Sequence, residues 1–264
     1  LDSLANQTLL PKHVVVVNDN SNDNTQSIVS TYTTKFDWIT QINNTSSNKH
    51  IPGAKIIEAF YAGYNTLDDN YDVICKFDAD LMFPVNYLER ISELFQSNPK
   101  MGIAGGLPFI KKNDTWVFEK VASKNHVRGP VKAYRKACFK AIGGIKSSIG
   151  WDTIDVLLTH YHGWETATDK SLHVKHLKPT GKTYSKTTKY FQGEALYKMR
   201  YGLILSTISA SKSAFNRNSF KFLTNTLKGY FRAKKEKAPY LVSKEEGKFI
   251  RSFRYKSILK KIYK

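Results

Sequence analysis

The chain has 264 residues, 41% hydrophobic and 13% aromatic, enough for one large domain or one and a half around a buried core. Its formal net charge of +19 asks for an acidic partner: nucleic acid, an anionic membrane face or an acidic substrate. No apolar run reaches the length of about eighteen residues that a spanning helix needs, so no membrane span is predicted.

No secretory signal opens the chain, and Leu1 is not an initiator Met, so the natural N-terminus is expected to be missing. The only cysteines, Cys75 and Cys138, lie far apart and read as reduced core residues, which fits a cytoplasmic protein.

Leu1 to Gln7 reads as the last turns of a helix, which Pro11 breaks. His13-Val14-Val15-Val16-Val17 is a β-branched run, the pattern of a strand covered on both faces. It ends in the polar turn Asn18 to Thr25 and leads to an amphipathic segment with Ile28, Val29 and Tyr32, which Ser21 or Asp23 could cap. In open α/β sheets, ligands bind beyond the carboxyl ends of strands. Asp19 is therefore placed either to meet a ligand or merely to reverse the chain.

Asp37 to Ile42 reads as a short strand, Asn43 to Gly53 as a polar loop and Lys55 to Leu67 as a helix. Val73 to Phe77 is an apolar strand that runs straight into Asp78-Ala79-Asp80. Two carboxylates at the end of a buried strand are costly unless a cation meets them. A divalent metal on a diphosphate suits them, since hard oxygen ligands hold Mg²⁺ or Mn²⁺. An Asp-rich turn without a ligand is the alternative. Tyr87 to Phe95 follows as a helix, and Met101 to Leu107 and Trp116 to Val121 as strands. Strands alternating with helices predict a mostly parallel α/β sheet.

VVVVNDNSNDNT followed by KFDAD resembles the inverting glycosyltransferases of family 2, over roughly residues 1–180. The resemblance implies a GT-A (Rossmann-like) mostly parallel sheet flanked by helices. It makes Asp19 the nucleoside contact, and Asp78 and Asp80 the diphosphate and metal pair, with Asp80 the direct ligand to Mn²⁺ or Mg²⁺. The chain departs from the family pattern at two places. The first strand, with its P-x-Y/F-N turn, is absent, and Asn18 stands where many members have Asp.

HVRGPVKAYRKACFKAIGG, residues 126–144, is similar to the family's R-G-x-x-x-x-[YF]-R stretch, which implies that Arg128 and Gly129 sit beside the sugar. Read by itself, the stretch is a helix stopped by glycine after Ile142. In GWDTIDVLLTHY, residues 150–161, the positions Ile154, Leu157, Leu158 and Tyr161 form a helix face. Asp152 then reads as an N-cap and Asp155 as a first-turn acid. An inverting transferase needs a base for the acceptor hydroxyl. The resemblance assigns that role to Asp152 ahead of Asp155 and puts Trp151 among the substrate contacts.

Leu172 to Leu177 alternates like a strand and carries His176. The resemblance makes His176 a third metal ligand; a satisfied, half-buried histidine is the alternative. Lys182, Lys186 and Lys189 follow Pro179-Thr180-Gly181 in a loop that either closes over phosphates or faces water.

Gly193 to Ser206 resembles the segment that frames the acceptor side in a bacterial subgroup of the family. From Lys212 to Lys264 the chain holds 16 Lys and Arg against 3 Glu, +13 of the total +19. Phe215, Phe220, Phe222, Tyr230, Phe231, Phe249, Phe253 and Tyr255 interleave with these bases. Such a tail suits either an interfacial helix on an anionic leaflet or a helix pair packed on the core.

Residues 1–190 are thus expected to form the nucleotide-sugar-binding catalytic domain and residues 191–264 a basic helical extension. The expected activity is inverting transfer of a sugar, from a UDP-sugar first among nucleotide donors, to a glycan or lipid-linked acceptor hydroxyl. The expected setting is polysaccharide synthesis, in the cytoplasm or on the inner face of the membrane. A non-catalytic relative and a basic nucleic-acid binder are the rival readings. No nucleic-acid motif appears, so nucleic acid is not expected as a partner.

Overall fold

The computed structural model describes residues 1–45, 53–180 and 189–263. Lys182 and Lys186, and most of the loop expected between Asn43 and Gly53, lie outside the described residues. The chain divides into two compact units: Leu1–Ser147 with His162–Thr180, and Ser148–Tyr161 with Gly181–Lys264.

The first unit opens with α1 (Asp2–Ala5), β1 (Val14–Asp19), α2 (Thr25–Lys35), β2 (Ile39–Asn44) and α3 (Ala54–Tyr64). β1 and β2 pair in parallel, as the strand–helix–strand pattern predicts. Gly63 lets α3 lie close on β1: a Cβ there would come within 2.9 Å of Val17 Cγ2. Asn24, not Ser21 or Asp23, is the N-cap of α2 and makes no side-chain cap bond. Asp23 acts from one residue earlier, accepting from Thr25 N–H at 3.0 Å.

β3 (Val73–Phe77), β4 (Leu81–Met82), α4 (Tyr87–Ser97), β5 (Met101–Lys112), β6 (Thr115–Phe118), β7 (Val131–Arg135), α5 (Lys136–Ala141) and β8 (Glu165–His176) complete the unit. The second sheet runs β3-β7-β5-β8-β4, with β6 on β5. Here the expected mostly parallel sheet is corrected. Only β5–β8 is parallel, while β3–β7, β7–β5, β8–β4 and β5–β6 are antiparallel. Burial along a strand does not encode the direction of its neighbour. One turn does: Asn113 and Asp114 both have positive φ, 44° and 60°. They form the two-residue loop of a tight hairpin that pairs Lys112 with Thr115.

α4 covers this sheet with Tyr87, Ile91 and Phe95, all under 6% exposed, packed on Met101, Ala104, Val131, Leu172 and Val174. Apolar residues four apart on a helix share one face. Tyr87 is tied in by its hydroxyl, which donates to Val131 O at 2.8 Å and accepts from Gly106 N at 3.2 Å. α5 stops at a glycine as expected, with Gly143 at φ +66° accepting no strain a Cβ would bring.

The second unit is helical: α6 (Trp151–Tyr161), α7 (Phe191–Lys198), α8 (Gly202–Asn216), α9 (Phe220–Lys235) and α10 (Lys244–Ile262). α7 and α9 touch backbone to backbone at Gly193 and Gly229, where a Cβ would overlap Thr226 O at 1.8 Å and Tyr190 O at 2.0 Å. α10 begins with a capping box in which Ser243 and Glu246 bond reciprocally. Its aromatics pack on α6: Phe253 stacks on His160 with centroids 5.0 Å apart, and Phe249 meets Tyr161 edge-on at 5.5 Å. For α10, the packed-helix reading of the tail describes these rings. Among the described residues no helix is long and apolar enough to cross a membrane.

Candidate active site

Acidic side chains gather where strands of the first unit end. β3 leaves the sheet at Phe77, and the chain turns through Asp78-Ala79-Asp80 into β4. The turn is held from two sides. Asp78 N–H donates to Pro130 O at 3.1 Å, which brings the Arg128-Gly129-Pro130 segment against it. Leu177 N–H donates to Asp80 O at 2.9 Å, and Leu81 pairs with His176 in the β4–β8 ladder. That register sets the His176 ring beside Asp80.

The two carboxylates of the turn have different partners. Asp78 pairs with Lys76, whose side chain is 5% exposed. Lys76 stands opposite Lys132 in the β3–β7 ladder, and both lysines are buried. Like charges so placed repel, and Asp78 offsets one of them. Asp80 instead faces His176, with Oδ1 3.5 Å from Nε2.

Behind His176 lies a buried relay that reading the sequence missed. Its Nδ1 is 3.1 Å from Glu119 Oε2. Glu119 also accepts from Thr180 N–H at 2.7 Å and pairs with Arg128 at 3.4 Å. Arg128 donates onward to Thr180 Oγ1 at 3.0 Å. Glu119 and Arg128 are 2% and 5% exposed, so these bonds replace water for both. A Glu directly after the apolar run Trp116-Val117-Phe118 was the available signal.

The charges answer this geometry. Hydrogen bonds to Asp80 and then to Glu119 raise His176 to about 9. Burial would lift Glu119, but His176, the Thr180 N–H and Arg128 bring it down to about 2. Burial likewise opposes ionisation of Asp80, and the bond to His176 outweighs it, so its pKa is lowered.

Asp19 ends β1. Asn44 Nδ2 donates to its Oδ1 at 3.1 Å, and Lys55 lies 3.8 Å from its Oδ2. Asp19 therefore belongs to the two-stranded sheet, not to the ladder that carries Asp80.

In the second unit, α6 starts at Trp151, so Asp152 sits inside the first turn and not at the N-cap. Both positions favour a carboxylate through the helix dipole. Asp155, expected as a first-turn acid, lies beyond the first turn and is buried. It is 1% exposed among Ile154, Leu157 and Leu158, and its backbone carbonyl accepts from Thr159 Oγ1 at 2.8 Å. Trp151 is 7% exposed.

The donor set can be tested against a divalent cation. Among the described residues no three His, Cys, Asp or Glu form a cation cage. A cation held by one or two carboxylates, with substrate phosphates and water supplying the rest, needs no cage. Asp80 offers a hard oxygen; His176, held protonated between Asp80 and Glu119 when no ion is bound, would offer Nε2 once an ion displaced that proton, with its other side fixed by Glu119, the usual outer support of a ligating histidine. The residues fit such an ion.

Comparison with known proteins bears on this arrangement. The family model "Glycosyl transferase family 2" matches residues 1–144. No curated protein matches the chain. Among solved structures, it resembles the mannosyltransferase PcManGT of Pyrobaculum calidifontis, solved with GDP-Man and Mn²⁺. That likeness has a TM-score of 0.52 and 12% identity, and covers 97% of this chain and 75% of that one. It also resembles GalNAc-T7, solved with UDP, GalNAc and Mn²⁺, with a TM-score of 0.53 and 15% identity over 88% of this chain and 53% of that one.

Proposed function

The chain belongs to glycosyl transferase family 2 and has the GT-A fold, and from that premise we propose that it moves a sugar from a nucleotide-diphosphate donor to a hydroxyl acceptor with inversion. The observation that carries this reading is Asp80 meeting a buttressed His176 at 3.5 Å where the β3–β4 turn leaves the sheet.

Asp80 and His176 would hold Mn²⁺ or Mg²⁺. Both solved neighbours contain Mn²⁺, which supports a divalent ion here. When bound, the ion would offset the charge that grows on the departing nucleoside diphosphate. Glu119 keeps the His176 ring oriented, and Arg128 keeps Glu119 ionised. Asp78 neutralises Lys76 and so leaves the turn with one carboxylate directed at the donor. Asp19 contacts the nucleoside. Arg128-Gly129 binds the sugar, with Arg128 acting through its backbone since its guanidinium is engaged, and Trp151 is a further substrate contact.

Asp152 takes the proton of the acceptor hydroxyl as its oxygen attacks the anomeric carbon. The bond to the diphosphate breaks on the opposite side, and the product is inverted. The donor is a UDP-sugar first, and the acceptor a glycan or lipid-linked saccharide. The two free thiols support a reducing, cytoplasmic setting.

A panel of nucleotide sugars with Mn²⁺ and Mg²⁺ tests this reading, scored by release of the nucleoside diphosphate and, once an acceptor is found, by the anomeric configuration of the product. Metal-dependent release from one donor and an inverted product are expected. A retained configuration would remove Asp152 as the base, and no release from any donor would remove the transfer reading.

A further inference from the structure

Helices α8 and α9 show side chains that the fold does not use. On α8, Ile204, Ile208 and Phe215 lie on one face and are 69%, 40% and 83% exposed. The chain turns at Arg217-Asn218 and presents Phe220, 76% exposed, at the start of α9, with Phe231 at 49% three turns on. Scattered exposed apolar residues are ordinary, but a stripe along one helix continued on the next marks an interaction surface.

The surrounding charge narrows the partner. From Ala195 to Lys235 the chain has no Asp or Glu and nine Lys and Arg. Lys212, Arg217 and Lys221 flank Phe215 and Phe220. Among the described residues none of the three is in an ion pair, and Arg217 lies over the Phe222 ring at 4.7 Å. A second copy of this surface would bring like charges together. Nucleic acid would match the charge and could stack on Phe215 and Phe220, but it would leave the aliphatic Ile204 and Ile208 in water. Aliphatic and phenyl groups edged by unpaired cations match the interface of an anionic bilayer, where the apolar face enters the headgroup boundary and the cations meet lipid phosphates.

We propose that the exposed face of α8 and the α8–α9 turn dock the protein peripherally on anionic lipid bilayers. This surface differs from the one the interleaved aromatics suggest. Tyr230, Phe249 and Phe253 are packed within the helical unit, whereas Ile204, Ile208, Phe215 and Phe220 face outward. The inference stands apart from the transfer reading, since it uses none of the residues assigned to transfer.

Flotation of the whole chain with phosphatidylcholine vesicles, with and without phosphatidylglycerol, is the test. Binding is expected only where phosphatidylglycerol is present. Lys212→Gln/Arg217→Gln/Lys221→Gln should weaken it by about a hundredfold, at about fivefold per cation. Phe215→Ser/Phe220→Ser should weaken it while leaving the circular dichroism spectrum and melting temperature unchanged. Equal binding to neutral vesicles, no binding to either vesicle, or tighter binding to duplex DNA than to anionic vesicles would overturn the proposal. So would a dimer in sedimentation equilibrium that Phe215→Ser/Phe220→Ser dissolves.

Discussion

Asp80 and His176 meet across the β4–β8 ladder at 3.5 Å, and Glu119 holds the far side of the imidazole at 3.1 Å. The pair follows from register: His176 is the partner of Leu81, the residue after Asp80. A histidine fixed this way has one nitrogen committed to the protein and one directed at the turn.

Glu119→Gln should therefore lower Mn²⁺ affinity by about 10–100-fold, the usual cost of losing an outer support of a ligating histidine. Gln keeps an acceptor for the Thr180 N–H but leaves the buried Arg128 without its counter-charge, so some stability is lost and the titration is run where circular dichroism shows the variant folded. Titration with Mn²⁺ followed by electron paramagnetic resonance measures the change. An unchanged affinity would remove His176 from the ligand set.

Asp78 and Asp80 should respond differently to mutation. Asp78 balances Lys76, buried opposite Lys132, so Asp78→Ala should destabilise the fold. The expected loss is about 1–3 kcal/mol, below that of a fully buried pair because Asp78 keeps some contact with water. Asp80→Ala should cost less than Asp78→Ala, because His176 keeps Glu119 as its second carboxylate partner. Urea denaturation of the two variants, side by side, shows which carboxylate the fold needs. Equal losses would mean that the division of roles is wrong.

On α6 the contrast is between neighbouring turns. Asp152 lies in the first turn and Asp155 is 1% exposed in the packed face. Asp152→Asn should abolish transfer with little change in melting temperature. Asp155→Ala should cost about 1–3 kcal/mol of stability by stripping a buried polar group from its partners. If Asp155→Asn kept its stability and lost all transfer while Asp152→Asn stayed active, the two roles would exchange.

The thiols offer a pH-linked check of the core. Burial pushes Cys75 up from its ordinary value of 9.0 to about 12. The folded form therefore holds its proton more tightly than the unfolded chain. The stability this contributes is full below about 9 and is lost as pH rises toward 12. At pH 8 neither Cys75 nor the buried Cys138 should react with a disulfide reagent until denaturant is added. Fast labelling of the native protein at pH 8 would show that β3 is not packed as described.

Much of the fold was legible, and the reasons it was differ from element to element. β1 was readable because four consecutive valines leave little choice, and α4 because Leu88, Ile91, Leu94 and Phe95 recur near helical spacing, although the buried face proves to be Tyr87, Ile91 and Phe95. Strand direction was not readable, since β7 carries no mark saying that it lies between β3 and β5. The hairpin at Asn113-Asp114 was marked, by two residues tolerant of positive φ, and was overlooked. At the site, Asp80 and His176 could be named from motif resemblance. Glu119 could not be, because its role exists only once β6 and β8 bring it under the imidazole. The burial of Asp155 depends on what packs over α6, which one helix's own pattern does not contain.

The central claim is that Asp80 joins a divalent cation to the diphosphate of a nucleotide. Calorimetric titration of UDP and GDP into the protein, with and without Mn²⁺, and into Asp80→Asn, tests it most directly. One nucleotide should bind tightly only with Mn²⁺, and Asp80→Asn should abolish the Mn²⁺ effect. Nucleotide binding that ignores Mn²⁺, or that keeps its Mn²⁺ dependence in Asp80→Asn, would contradict the claim.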